Sequence, residues 1–368
     1  MEIRQGTDNS MLLLAVSLTC LGVVMVFSSS SIMAERAHAD SLFFLKRQGL
    51  FALVGFTFLA AMMRFDYHHF KKLAVPLLIA CVLLLALVLV PGVGRRVGGA
   101  VRWLPLGGFS FQPAELAKLG LVIFLAYSLA RKKDKVKDFR VGFLPYIVLL
   151  AGLLVMLLAQ PDLGSALTLS VVTVMMLLVA GTRLIYLLGM GFVAMPFLYF
   201  LIMNVDYRRQ RVLAFLNPWE DPSNSGFQII QSWIAFGSGG AFGKGLGESK
   251  QKLFYLPEAH TDFIFSVIGE ELGFAGVIII AAMFLLLIIR GFRTALHAPD
   301  EFGCYLAFGL TLLLGLEAFI NMAVVLGMVP TKGLALPFLS YGGTSLVTSL
   351  IAIGIVLNIS GQTQGELR

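Results

Sequence analysis

Charge is what this chain most lacks. Asp, Glu, Lys and Arg make up only 13% of its 368 residues, about half of the ~25% usual in soluble domains. Hydrophobic residues make up 58%, and the mean hydropathy is +0.87. So few charges cannot clothe a water-facing surface, which excludes a soluble domain and places the chain in lipid. Cysteine is scarce too. Cys20, Cys81 and Cys304 lie in or at the end of apolar runs and match no metal-ligand spacing, which argues against disulfides and zinc. There are five histidines, with no pair at helical ligand spacing. No internal repeat, low-complexity tail, Rossmann or P-loop pattern is visible, so nucleotide binding is not expected. The formal net charge of +7, in so apolar a chain, points to anionic headgroups or substrate phosphates and not to nucleic acid.

What is present is a series of long apolar runs. Crossing ~30 Å of hydrocarbon takes about 20 helical residues. Ten runs qualify, at about 11–30, 47–63, 74–91, 112–130, 144–160, 163–181, 184–203, 262–289, 302–328 and 340–360. The fifth and sixth are separated only by Gln160-Pro161-Asp162, a proline and a carboxylate best explained as a tight re-entry between helices. The first run, with Arg4 before it and Ala37-His38-Ala39 after it, has some features of a signal peptide. Its apolar core is too long for one, so an uncleaved anchor is expected. The fold class is therefore an all-α polytopic membrane protein of about ten transmembrane helices, one membrane domain over 1–368, with a large loop, 204–261, between helices 7 and 8. With both termini inside, the cytoplasmic segments carry 14 Lys and Arg against 7 in the short outer loops, the bias expected of that orientation.

The outer face is still unusually basic. Arg95, Arg96 and Arg102 stand beside Trp103, and the 204–261 loop adds Arg208, Arg209, Arg211, Lys244, Lys250 and Lys252 with Trp219 and Trp233. Headgroup attraction with an aromatic belt is the bland explanation. An anionic, diphosphate-bearing, lipid-linked substrate is the sharper one. Within the same loop, Phe227 to Phe236 has the spacing of an amphipathic interfacial helix. The following glycines, Gly237, Gly239, Gly240, Gly243, Gly245 and Gly247, suggest a flexible lid.

Ionisable residues at membrane depth are costly, and each is a functional hypothesis. Glu115 and Lys118, three residues apart on one helix face, can pair, either as a purely structural ion pair or as the floor of an outward-opening cavity. Asp262 opens the eighth run, where it could cap exposed amides. Glu270 and Glu271 follow in the same run, and three carboxylates on one helix suit proton relay, ion coordination or acid-base chemistry. Glu317, with Asn321 four residues on, reads as an interhelical hydrogen-bonding pair. His260 alone among the histidines flanks the acidic position. The stretch Pro330 to Ser345 is irregular and runs into a span, which requires a protein-lined or wet cavity.

FQPAELAKL (111–119), QPDLGSA (160–166), KLFYLPEAHTDFIFSVIGEELG (252–273) and PTKGLALPFLSYGGTS (330–345) resemble the signature segments of the SEDS family of shape, elongation, division and sporulation proteins. Their wording is nearer to the cell-division branch than to the elongation branch. The resemblance covers essentially the whole chain. It implies a ten-helix protein that polymerises peptidoglycan from lipid II on the outer face of the bacterial inner membrane, at the division septum. It places Asp262 at the catalytic position and Arg102, Glu115, Lys118 and Lys332 among the substrate-binding residues, to which His260, flanking Asp262, and Ser340, in the irregular stretch, are added as candidates. Thr344 stands where a serine is more usual, leaving a hydroxyl in place. No cofactor is certain, though a divalent cation, magnesium or manganese, could share the substrate diphosphate. The implied partners are a class B penicillin-binding protein, the transpeptidase that crosslinks new glycan, other division membrane proteins, and membrane lipid. Two rival functions fit the residues alone: a flippase carrying lipid II across the bilayer, and a non-catalytic scaffold whose spans only dock partners.

Overall fold

A computed structural model of the protein describes residues 7–97, 99–252 and 256–363. It opens with α1 (Asn9–His38), α2 (Phe43–Arg64) and α3 (Phe70–Leu89). A three-stranded antiparallel hairpin sheet follows, in the order β1 (Arg95–Val97), β2 (Ala100–Leu106) and β3 (Phe109–Phe111). Then come α4 (Pro113–Lys132), α5 (Leu144–Ala159), α6 (Leu163–Val179), α7 (Leu184–Met203), α8 (Asp206–Leu216) and α9 (Phe227–Gly239). The chain ends on α10 (Ile264–Leu296), α11 (Glu301–Val325) and α12 (Gly343–Thr363). Among the described residues nine helices are long and apolar enough to cross a membrane, and α6 is a shorter apolar helix. These are the ten expected spans.

The Gln160-Pro161-Asp162 re-entry is real. α5 stops at Ala159, and Asp162 caps α6 by accepting hydrogen bonds from the Ser165 amide at 3.2 Å and the Ser165 hydroxyl at 2.8 Å. Pro113 starts α4, where its missing N–H costs nothing. The small sheet was not expected. β2, which carries Arg102, pairs with both neighbours, Trp103 facing Arg95 and Leu104 facing Phe111.

Helices in lipid gain little from the hydrophobic effect against one another, so close contact decides packing. α2 and α12 meet through glycines: a Cβ on Gly354 would come within 2.8 Å of the Met62 Cβ and 2.9 Å of the Leu59 carbonyl. α4 is the central helix, with 78% of its apolar window inside the protein, whereas α7 has only 6% and faces outward along its length. α4 spans ~30 Å at 1.5 Å per residue. The hairpin and Glu115 thus stand at one end of the bundle and the basic run Arg131 to Arg140 at the other. At that second end Asp300 accepts from the Tyr67 hydroxyl and from Lys71, both at 2.7 Å, and Asn358 accepts from the Tyr67 amide at 3.1 Å. The α2–α3, α10–α11 and α12 corners are thereby joined.

The 204–261 loop carries two helices. α9 matches the expected amphipathic segment, but its inner face is docked: Ser232 reaches Ser266 of α10 at 2.8 Å, and the Trp233 indole donates to the Leu326 carbonyl at 3.1 Å. α8 carries Arg208, Arg209 and Arg211.

Candidate functional site

Asp262 lies two residues before α10, in a turn tied to the irregular 330–341 stretch. The Ser340 hydroxyl donates to the Thr261 carbonyl at 2.6 Å and accepts from the Leu336 amide at 2.8 Å. The Tyr341 amide donates to the His260 carbonyl at 2.9 Å, and Gln48 of α2 donates to the Ser340 carbonyl at 3.2 Å. Asn321 of α11 closes the stitch, donating to the main-chain carbonyls of Asp262 at 2.9 Å and Leu334 at 2.6 Å. Asn321 was expected to bond between helices alongside Glu317. It instead grips two loops, because these non-helical carbonyls need donors that their own backbone cannot supply. The Asp262 carboxylate lies over Gly333, where a Cβ would sit 2.9 Å from Oδ2.

The charges around Asp262 come from four elements. Arg102 of β2 donates to the carbonyls of Gln160 (3.2 Å) and Pro161 at the α5–α6 break. Arg211 of α8 donates to the Thr331 carbonyl at 3.3 Å. Both guanidiniums favour the ionised carboxylate, while Asp162 and Glu258 disfavour it. Burial outweighs them all and pushes the Asp262 carboxyl up to about 7 from its ordinary 3.8. The group is therefore poised to exchange a proton near neutral pH. Lys332, beside Gly333, is half-buried, and burial lowers its pKa. His260 is buried, with its ring 4.8 Å from that of Phe44 and 5.7 Å from that of Tyr341. Burial lowers its pKa, so it is a neutral aromatic wall.

Glu115 and Lys118 do pair, at 2.8 Å, and a third member joins them: Lys118 also binds Glu317 of α11. Lys118 is 2% exposed, so one ammonium serves two carboxylates in a dry setting. Glu317 and Asn321 are four residues apart on α11, about 6 Å of rise. The triad therefore stands one helical turn from the residue that grips Asp262.

Glu270 and Glu271 are not brought into this constellation. Both are fully buried and saturated by donors from α1 and from the segment after α9. Of the glycines there, Gly239 and Gly243 are packed against α10, where an added Cβ would meet the Gly269 and Glu271 carbonyls, so this part of the loop is docked and not a free lid. Among the described residues no group of three or more His, Cys, Asp or Glu side chains gathers as a metal cage. Arg211 and Asp162 enter the site without having been singled out as site residues. Nothing in the local sequence distinguishes Arg211 from Arg208 and Arg209, and Asp162 read only as a helix break.

Together these features define a polytopic membrane protein with a cluster of charged side chains at one end of the bundle, centred on a carboxylate of raised pKa. The chain belongs to the FtsW/RodA/SpoVE family of cell cycle proteins, whose family model matches residues 8–365. The probable peptidoglycan glycosyltransferase FtsW of Geobacter sulfurreducens is 60% identical over 358 residues, covering 97% of this chain and 96% of that one. Stage V sporulation protein E of Bacillus subtilis is 42% identical, covering 97% and 98%. A solved structure of a peptidoglycan synthase complex, described for its coordination of polymerization and crosslinking, superposes with a TM-score of 0.79. It is 31% identical and covers 97% of this chain and 98% of its own. The crystal structure of the rod shape determining protein RodA of Thermus thermophilus gives a TM-score of 0.70 at 31% identity, covering 96% of each chain.

Proposed function

We propose that this chain is a peptidoglycan glycosyltransferase of the FtsW type, polymerising lipid II into glycan strands for the division septum. The observation that carries the chemistry is Asp262, a half-buried carboxylate raised to about 7 between Arg102 and Arg211. Asp262 accepts the proton of the acceptor 4-hydroxyl as that oxygen bonds to the anomeric carbon of the donor. The bond from that carbon to undecaprenyl diphosphate breaks with inversion, and the diphosphate departs with the electron pair. Arg102, Lys332 and Arg211 offset the charge growing on the leaving group, where a water-poor cleft gives cations most leverage. Lys118, held by Glu115 and Glu317, steadies α4 against α11 one helical turn from Asn321, the residue that grips the Asp262 turn. His260 and Ser340 serve substrate binding by holding the wall that carries Asp262. A magnesium or manganese ion would arrive with the diphosphate oxygens, which suit hard cations.

The Lys and Arg bias supports the cytoplasmic membrane with both termini inside and the cleft on the outer face. Similarity to a chain of a peptidoglycan synthase complex supports a class B penicillin-binding protein as partner. One observation favours the flippase alternative: α10 is discontinuous, as in many transporters. The decisive experiment is polymerisation of labelled lipid II in detergent by the chain with its transpeptidase, wild type beside Asp262→Asn. Long strands from wild type alone are expected. Strands from both would remove Asp262 from the base role. Strands from neither, with lipid II crossing liposome bilayers, would establish transport.

A further inference from the structure

α10 is two helices joined at Gly273, whose φ of 68° and ψ of −167° interrupt it. In an unbroken helix the amides of Phe274 and Ala275 would bond the carbonyls of Glu270 and Glu271. Here a strap, residues 240–245, is inserted between the halves and serves both sides. Phe274 and Ala275 donate to the Gly240 and Ala241 carbonyls at 2.9 and 3.0 Å. The Lys244 and Gly245 amides donate to the Glu270 and Glu271 carbonyls, each at 3.0 Å. A Cβ on Gly243 or on Gly273 would collide with the opposing backbone, so only glycine permits the approach.

Side chains repeat the fastening. The Glu270 carboxylate accepts from Lys244 at 2.7 Å, the Ser249 hydroxyl at 2.5 Å, and the amides of Lys250 and Gln251, each at 3.2 Å. Glu271 accepts from Ser28 of α1 at 2.6 Å and from Lys252 at 3.2 Å. The fastened half, residues 264–272, is the short piece that Asp262 directly precedes. Its only covalent tie to the rest of α10 is the Gly273 joint.

We propose that Glu270 is a positioning residue for Asp262, acting through the strap that clamps the short half of α10. This deepens the glycosyltransferase reading and rests on it. A dedicated clamp is needed because a helix cut at Gly273 transmits no position across the cut. Asp262 must nonetheless keep its place over Gly333 and between Arg102 on β2, Arg211 on α8, Asp162 at the α5–α6 break and Glu258 in its own turn. Loosening the clamp admits water. Since burial is the main cause of the raised Asp262 pKa, that pKa then falls.

The test uses the full chain with its transpeptidase and compares wild type, Glu270→Gln, Ser249→Ala and the charge-keeping Lys244→Arg. In Glu270→Gln, amide hydrogen exchange over 264–272 is expected to quicken about tenfold or more, with 277–296 unchanged. The kcat should fall by as much as ~10²-fold, with KM for lipid II near wild type, and the acid limb of the pH–rate profile should move to lower pH. Ser249→Ala should shift each readout the same way by less, and Lys244→Arg should restore wild-type behaviour. Unchanged exchange over 264–272, an unmoved acid limb, or faster exchange throughout the chain would overturn the clamp. An active Asp262→Asn in the same assay would instead overturn the glycosyltransferase reading, and the exchange data would still decide whether Glu270 fastens the segment.

Discussion

At the scale of single residues, the cleft makes stability and activity oppose one another. Ionising Asp262 costs the folded state, because its folded pKa of about 7 lies above the ordinary 3.8. That cost grows as pH rises from 3.8 to about 7 and is constant beyond. Asp262→Asn removes it, so this variant should melt at a higher temperature than wild type at pH 8, and by a smaller margin at pH 5. In the proposed base role Asp262 must be unprotonated, so polymerisation should fall about tenfold per pH unit well below 7. A melting temperature lowered by Asp262→Asn at pH 8 would show that the carboxylate is a structural asset. Lys118 behaves in the opposite way. Removing it strands Glu115 and Glu317 in a dry interior, and breaking such a cluster typically costs about 3 to 5 kcal/mol. Lys118→Ala should therefore lose both turnover and thermal stability. Glu317→Gln leaves the 2.8 Å pair with Glu115 and should lose far less stability.

At the scale of elements, what was legible follows from what leaves a periodic trace. The ten spans were readable because a helix in lipid must be apolar for a full bilayer thickness. The α5–α6 break was readable because proline and a carboxylate have no place inside such a run. The hairpin of residues 95–111 was not, since two of its three strands are only three residues long and, among glycines, carry too few alternations to register. The break in α10 was equally hidden: GEELGFAG has the hydropathy of a continuous helix, and only the strap, some 30 residues upstream, explains why Gly273 is there. Glycine identity consequently means different things in different helices. Gly273→Ala places a side chain at φ 68° against the strap and should abolish the monodisperse detergent peak or lower melting sharply. Gly189→Ala in α7, with no atom within 4 Å of the new Cβ, should be neutral or gain a few tenths to ~1 kcal/mol of helix propensity. Equal effects from the two would mean that the strap is not a tight contact. The site divided in the same way. Asp262 and the Glu115–Lys118 pair stood out as charges in apolar surroundings, whereas Arg211 and the loop-gripping role of Asn321 depend on long-range placement that no local pattern encodes.

At the scale of the whole molecule, the two ends of the bundle are chemically unlike, and this asymmetry ties topology to function. One end carries the hairpin, the strap and the Asp262 cleft, with cations directed at carbonyls and a carboxylate. The other carries the exposed run Arg131 to Arg140 and the Asp300 junction, where hydrogen bonds from Tyr67 and Gly303 and the Lys71 ammonium hold the Asp300 carboxyl below its usual range. The proposed polymerisation of a lipid-linked precursor would require glycan to emerge where the wall is built, with the Asp262 end facing outward and the 131–140 end facing the cytoplasm. Single cysteines report this directly. Leu246→Cys, at an exposed position just past the strap, should react with a membrane-impermeant maleimide in intact spheroplasts. Lys135→Cys, exposed at the opposite end, should react only after the membrane is opened. The reverse pattern would place Asp262 on the side where precursor is made and not where strands accumulate, and a polymerase delivering glycan outward could not be built that way.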